Sequence, residues 1–298
     1  MNPSPSSIQH SPASSARLVR AKGDLRSALA PERSAGRTIG LVPTMGFLHE
    51  GHLRLVDEAR QRAGFVVMSI FVNPLQFGPH EDFARYPRDL EGDVRKADSR
   101  GVDLIFAPRA EDMYAGDRVV SVTPHALAER WEGAVRPGHF GGMLTVVAKL
   151  FNLVLPQVAI FGQKDIQQAT LVRAMVRDLD FPIEIHVAAT VREDDGLAMS
   201  SRNGYLSGDD RRRALVLSRA LRAIAEAAAA GERDAAALET LGYDVLAEEG
   251  PGVSVDYLAL VDGERLEPVA VAEPGTIVMV AARVGPTRLI DNIILGAP

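Results

Sequence analysis

Short, wholly apolar runs alternate along this chain with longer stretches whose apolar residues recur every three or four positions. Runs at Thr38 to Val42, Phe65 to Val72, Val102 to Ala107, Val158 to Phe161 and Ile183 to Val187 read as strands buried on both faces. Between them, Leu53 to Arg60, Asp89 to Arg100, Thr145 to Leu155 and Asp165 to Leu179 read as helices. This alternation predicts an α/β fold, a Rossmann-like doubly wound parallel sheet. Further on the order changes. Helices at Arg211 to Ala230 and Ala235 to Glu248 precede strands at Val253 to Val261, Thr276 to Val284 and Ile290 to Ile294. That segregation predicts a smaller C-terminal α+β domain, with Leu215, Leu217, Leu221 and Ile224 as the apolar stripe of its first helix. Polar Val191 to Tyr205 lacks periodicity and marks the connection. The expected organisation is a disordered tail over 1–16, a Rossmann-like domain over 17–190 and a smaller α+β domain over 191–298.

Composition narrows the function classes. A chain of 298 residues, 46% hydrophobic, can bury a substantial core, and its net charge of −6 argues against a broad nucleic-acid surface or a basic membrane patch. Small molecules are the expected partners. Cysteine is absent, which excludes disulfides, thiolate metal sites and cysteine nucleophiles and fits a cytoplasmic location. Residues 1 to 16 are rich in Ser and Pro and carry no apolar run of about seven residues, so they read as neither a signal peptide nor a spanning helix.

The chemistry concentrates where predicted strands end. Pro43 to His52, PTMGFLHEGH, follows the first run directly and places His49 and His52 three residues apart at a helix start. Strand, tight turn and helix is the arrangement that offers backbone N–H groups to phosphate at the carboxyl edge of an open sheet. The segment is neither a P-loop, since Gly51 precedes His-Leu, nor a G-x-G-x-x-G turn. What remains is an H-x-G-H nucleotide site, whose imidazoles can stabilise charge developing on an α-phosphate. Asn73 to Gly78 (NPLQFG) ends the second strand and offers the Gln76 amide to a hydroxyl or carboxylate. Arg136 to Gly142 (RPGHFGG) reads as a glycine-rich turn containing His139 and leading into the helix near Thr145. Phe161 to Gln168 (FGQKDIQQ) sets Lys164 for phosphate oxygens and Asp165 as a helix cap or an acceptor from ribose or metal-bound water. Ser200, Ser201 and Arg202 are three phosphate-compatible groups in a row.

PTMGFLHEGH, SIFVNPLQFG, RPGHF, FGQKDIQQ and DGLAMSSRNGYL, in this order and spacing, resemble the pantothenate synthetase (pantoate–β-alanine ligase) family. The likeness runs from about Thr38 to Leu206 and continues more weakly through VDYLAL and AARVGPTRLIDNI. It implies an ATP-dependent condensation of (R)-pantoate with β-alanine, giving pantothenate, AMP and diphosphate through a pantoyl adenylate. It also implies magnesium with the ATP phosphates, a homodimer, and no nucleic-acid or membrane partner.

Carried onto this chain, the ATP segments are Met45, Gly46, Phe47, Leu48, His49, Glu50, Gly51 and His52; Gly162, Gln163, Lys164 and Asp165; Val191; and Met199, Ser200, Ser201 and Arg202. The catalytic set is His49, His52, Lys164, Ser200, Ser201 and Arg202. His52 stands where the family has its proton donor, but carboxylate attack on ATP has no evident proton to move, so charge stabilisation is the expected role. Gln76 corresponds to a contact with both pantoate and β-alanine, and Gln168 to a second pantoate contact. Asn73, Tyr86 and His139 resemble further pocket residues, and Asp93 in YPRDLEGD is the candidate magnesium ligand. Two positions depart from the family pattern: Gln163 replaces a usual glutamate, and GG follows RPGHF where many relatives carry Arg-Gly. A different H-x-G-H nucleotidyl transferase and a silent scaffold retaining the fold are the competing classes. The first needs a basic acceptor pocket in place of Gln76 and Gln168.

Overall fold

The structure, a computed structural model, describes residues 16–297 apart from 80, 115 and 117. The tail expectation therefore lies outside the described residues except at Ala16, whose N–H donates to Asp98 Oδ1 at 2.6 Å. The large domain contains β1 (Arg17–Val19), α1 (Lys22–Ser34), β2 (Ile39–Thr44), α2 (Glu50–Arg62), β3 (Phe65–Ile70), α3 (Leu90–Ser99) and β4 (Leu104–Phe106). It continues through α4 (Ala110–Met113), α5 (Glu132–Val135), α6 (His139–Val154), β5 (Val158–Gly162), α7 (Ile166–Asp178) and β6 (Glu184–Ala188). The small domain adds α8 (Gly208–Ala229), α9 (Ala235–Ala247), β7 (Val253–Val261), β8 (Ile277–Val284) and β9 (Thr287–Ile294).

Six strands form one parallel sheet in the order β1-β4-β3-β2-β5-β6. From β2 the chain winds outward through β3 and β4, then returns to lay β5 on the other side of β2. The strand order thus reverses between β2 and β5, which opens a crevice beyond their carboxyl ends. Both faces of the sheet are covered. Leu41, Val67, Leu104 and Phe161 face a core shared with α1, α6 and α7, while their neighbours Val42, Met68, Ile105 and Ile160 face a second core under α2 and α3. Burial on both sides explains why these strands read as unbroken apolar runs.

The small domain is an antiparallel sheet, β7-β8-β9, backed by α8 and α9. It rests on the large domain through Ile166, with Leu127, Trp131 and Tyr257 packed around the same apolar cluster as Ala259, Val261 and Met279. Beside that cluster, the buried Glu132 carboxylate accepts from Arg288 at 2.6 and 2.7 Å and from the Tyr257 hydroxyl at 2.8 Å. Among the described residues, no helix is long and apolar enough to cross a membrane.

Candidate active site

The loops leaving β2, β3 and β5 converge with the 189–202 connection around a cavity of about 220 Å³. It adjoins a larger one of about 610 Å³ between the domains, and the two share Arg136, His139, Lys164, Asp165, Gln168, Ser200 and Arg202.

The turn after β2 is held in place by α3. Asp93 Oδ2 and Oδ1 accept from the N–H groups of Phe47 (2.8 Å) and Leu48 (2.7 Å), and Lys96 Nζ, one helical turn later, donates to Leu48 O at 2.7 Å. Gly46 has φ +87°, and a Cβ there would meet Asp93 Oδ2 at 2.8 Å and Ile70 Cγ2 at 2.9 Å, so the turn requires glycine. Asp93 is 1% exposed with both oxygens committed to backbone, and its burial pushes the carboxyl pKa up from its ordinary value. In this position Asp93 shapes the loop.

His49 is the extended N-cap residue of α2, and the His49 and His52 rings lie with centroids 4.1 Å apart. His52 Nδ1 accepts from the His49 N–H at 3.4 Å, which leaves Nε2–H as the donor of the neutral ring. Burial, then His49 and Lys164, lower the His52 pKa to about 3; burial, then Lys164, lower that of His49 to about 4. Both rings are therefore neutral near pH 7. Buried polar atoms without a partner among the described residues include His49 Nδ1, Ser69 Oγ and Thr190 Oγ1, and all three residues line the cavity.

On the β3 side, Asn73 Nδ2 donates to Gln76 Oε1 and to Gly142 O, each at 3.1 Å, while Asn73 Oδ1 accepts from the Tyr114 hydroxyl at 2.8 Å. The Gln76 Nε2 group has one weak acceptor, Met45 Sδ at 3.1 Å, and so remains available to a ligand. Gln168 lines both cavities. The expectation for RPGHFGG is corrected: α6 begins at His139, six residues before Thr145, with Gly138 as its N-cap and Gly141 and Gly142 within it. A Cβ on Gly142 would fall 2.0 Å from Leu75 O, so glycine here permits helix α6 to press on the backbone that carries Gln76. His139 bridges Gln76 O (2.8 Å) and Arg136 (3.1 Å); burial, then Arg136, lower its pKa to about 4.

Three cations line the smaller cavity. Arg136 forks onto Glu81 at 2.6 and 2.9 Å, and Arg202 onto Asp82 with two contacts of 3.2 Å. Lys164 has no carboxylate partner among the described residues, which leaves its charge for a ligand. Ser200 Oγ accepts from Arg202 N at 3.3 Å, and Ser201 Oγ lies 3.4 Å from the Tyr86 hydroxyl. Asp165 is exposed, makes no side-chain cap to α7, and lines both cavities.

Of the expected ATP segments, Met45, His49, Gly51, His52, Gly162, Lys164, Asp165, Val191, Met199, Ser200, Ser201 and Arg202 line the smaller cavity. Gly46, Phe47, Leu48, Glu50 and Gln163 do not. Gly46 and Phe47 (φ +52°) make the turn, Leu48 enters the core, Glu50 faces out to Arg100, and Gln163 faces the small domain. Sequence reasoning passed over Glu81, Asp82 and Arg136 as individual site residues. Arg136 sits inside a motif that was visible, whereas Glu81 and Asp82 belong to a polar stretch with no signal of their own.

The family model described as Pantoate-beta-alanine ligase matches residues 17–294. The chain belongs to the pantoate-beta-alanine ligase family. A pantothenate synthetase from Anaeromyxobacter dehalogenans is 57% identical over 267 residues, covering 87% of this chain and 92% of that protein. One from Acidobacterium capsulatum is 55% identical over 260 residues, covering 87% of each. The pantothenate synthetase structure from Thermus thermophilus superposes with a TM-score of 0.89 at 50% identity, covering 93% of this chain and 99% of that one. The Francisella tularensis pantoate-beta-alanine ligase, solved with beta-gamma ATP and beta-alanine, gives a TM-score of 0.78 at 31% identity, covering 95% and 99%. As a family member, this ligase condenses pantoate with β-alanine at the expense of ATP through a pantoyl adenylate. Position 141 has ordinary room for a side chain, and Gln163 is engaged by Asn292.

Proposed function

We propose that the two half-reactions take place in the smaller cavity, with the residues there in the following roles. In the first, a pantoate carboxylate oxygen attacks the α-phosphorus of ATP, the bond from that phosphorus to the bridging oxygen breaks, and diphosphate leaves. His52, as a neutral Nε2–H donor, and Lys164, as a cation free of carboxylates, stabilise charge on the crowded phosphorus centre. His49, Ser200, Ser201 and Arg202 complete the phosphate cradle. The Gln76 and Gln168 amides take the pantoate hydroxyl and carboxylate groups, and Gln76 also touches β-alanine. In the second half-reaction the β-alanine amine attacks the acyl carbon, the C–O bond to AMP breaks, and the amine gives up a proton. The C-terminal domain acts as a lid that keeps water from the mixed anhydride.

The observation that carries this reading is the placement of the neutral His52 and the carboxylate-free Lys164 on one cavity with two open amides. Uncharged amides at the acceptor end suit pantoate better than a phosphorylated acceptor.

Magnesium is expected to arrive on the ATP phosphates. Among the described residues there is no cluster of three or more His, Asp or Glu fit to hold an ion, and Asp165 is the exposed carboxylate at the cavity. A single carboxylate fits an ion held mainly by phosphate and water. Bound there, magnesium would neutralise phosphate charge. We also read the enzyme as cytoplasmic and homodimeric; the exposed apolar pair Val119 and Val120 offers a subunit contact.

AMP release, measured with pantoate and β-alanine each omitted in turn, tests the reaction. AMP should appear only with both acids present, and exchange of labelled diphosphate into ATP should require pantoate but not β-alanine. Steady AMP release without pantoate would overturn the reading.

A further inference from the structure

Two consecutive residues of β9 reach the loops that carry the proposed phosphate-binding groups. Asp291 forms a two-point ion pair with Arg192 at 2.6 and 3.0 Å. Arg192 lies at the root of the 191–199 turn, where it bridges to Ala198 and donates to Gly196 O at 3.1 Å; Ser200 follows directly. Asn292, 2% exposed, turns to the other loop. Its Nδ2 donates to Gln163 O (2.9 Å) and Lys164 O (3.0 Å), and its Oδ1 accepts from Gln163 Nε2 at 3.1 Å. The two carbonyls fix which end of the Asn292 amide is nitrogen. Successive side chains of a strand point to opposite faces. One strand can therefore grip two loops, and β9 is an edge strand of its sheet among the described residues.

We propose that Asn292 is a positioning residue for adenylate formation, holding the Gln163–Lys164 backbone so that the Lys164 ammonium meets the phosphates. Asp291 holds the Ser200–Arg202 loop in register with it. Asn292 needs no contact with substrate for this role. Its amide supplies three hydrogen bonds to a two-residue segment, and a lysine is a point charge whose effect on a phosphate falls quickly with misplacement. The inference rests on the reading of Lys164 given above.

The test is a double-mutant cycle on the full-length enzyme, read by pantoate-dependent exchange of labelled diphosphate into ATP. Asn292→Ala should lower the exchange rate constant at saturating substrates on the order of 10- to 100-fold, as expected for misplacement of a reacting-centre group. In the Lys164→Ala background the same change should cost less than about threefold, because the group it positions is gone. Equal losses in the two backgrounds, or wild-type exchange in Asn292→Ala, would overturn the proposal. Circular dichroism checks each variant's fold. If Asn292→Ala does not fold, the cycle is run with Asn292→Ser, which keeps a small polar group but cannot span both carbonyls. Exchange absent from the wild-type enzyme would instead defeat the underlying functional reading.

Discussion

His49 donates its backbone N–H to the Nδ1 atom of His52 at 3.4 Å, so the two site histidines are coupled through main chain as well as by ring contact. The arrangement keeps one nitrogen of His52 as an acceptor and makes protonation of the pair unfavourable.

The first consequence concerns pH. His49, His52 and His139 have folded pKa values near 4, 3 and 4, against about 6.5 for an unperturbed imidazole. Between these limits the unfolded chain binds more protons than the folded one, so stability rises with pH through this window and is fully present above about pH 6.5. The melting temperature should fall as pH drops from 6.5 towards 4. Thermal unfolding of His139→Gln across this range should show a shallower fall; a slope as steep as that of the wild type would refute the contribution of His139.

Removing the His52 ring should cost catalysis more than binding. For His52→Ala, loss of one preorganised donor predicts a decrease in adenylate formation of about 10²–10³-fold, roughly 3–4 kcal/mol. ATP affinity should change by less than about tenfold. Single-turnover formation of pantoyl adenylate measures the first quantity and equilibrium nucleotide binding the second. A wild-type single-turnover rate would remove His52 from the mechanism.

Asn73 orients Gln76 through the 3.1 Å bond to its Oε1. In Asn73→Ala the Gln76 amide is free to rotate, and loss of a buried hydrogen bond worth about 1 kcal/mol predicts a rise of roughly fivefold in the KM for pantoate. The KM for ATP should stay within about twofold. Steady-state kinetics with each substrate varied in turn distinguish this from a general loss of fold, which would lower the active fraction without separating the two constants.

With both carboxylate oxygens on the backbone of the loop, Asp93 is expected to act on stability and not on magnesium. Asp93→Ala strands the N–H groups of Phe47 and Leu48, at a cost of about 1–3 kcal/mol for each group that stays buried and unpaired. Denaturant unfolding should show that loss. The magnesium concentration giving half-maximal activity should not move; a large increase would return Asp93 to the metal site.

Much of this was legible from residue order. Apolar runs without polar alternation imply strands covered on both faces, and the H-x-G-H, NPLQFG, FGQKD and SSR segments announced their chemistry because phosphate and small acids call for a restricted set of groups. The β2/β5 reversal then decided which strand ends share a crevice. Sequence could not show that Leu48 and Glu50, though inside a motif, point away from the cavity, since side-chain direction depends on the backbone turn at Gly46 and Phe47. Nor could it show that Asp93 caps a loop 45 residues upstream, that Gly142 sits within a helix pressed on Leu75, or that Asp82 and Glu81 neutralise two of the three site cations. Those are pairings between distant segments, and local pattern carries no term for them. The amino-acid order determined the elements and the reactive groups; tertiary packing alone decided which charges are cancelled, which imidazole nitrogen keeps its hydrogen, and which carbonyls Asn292 can reach.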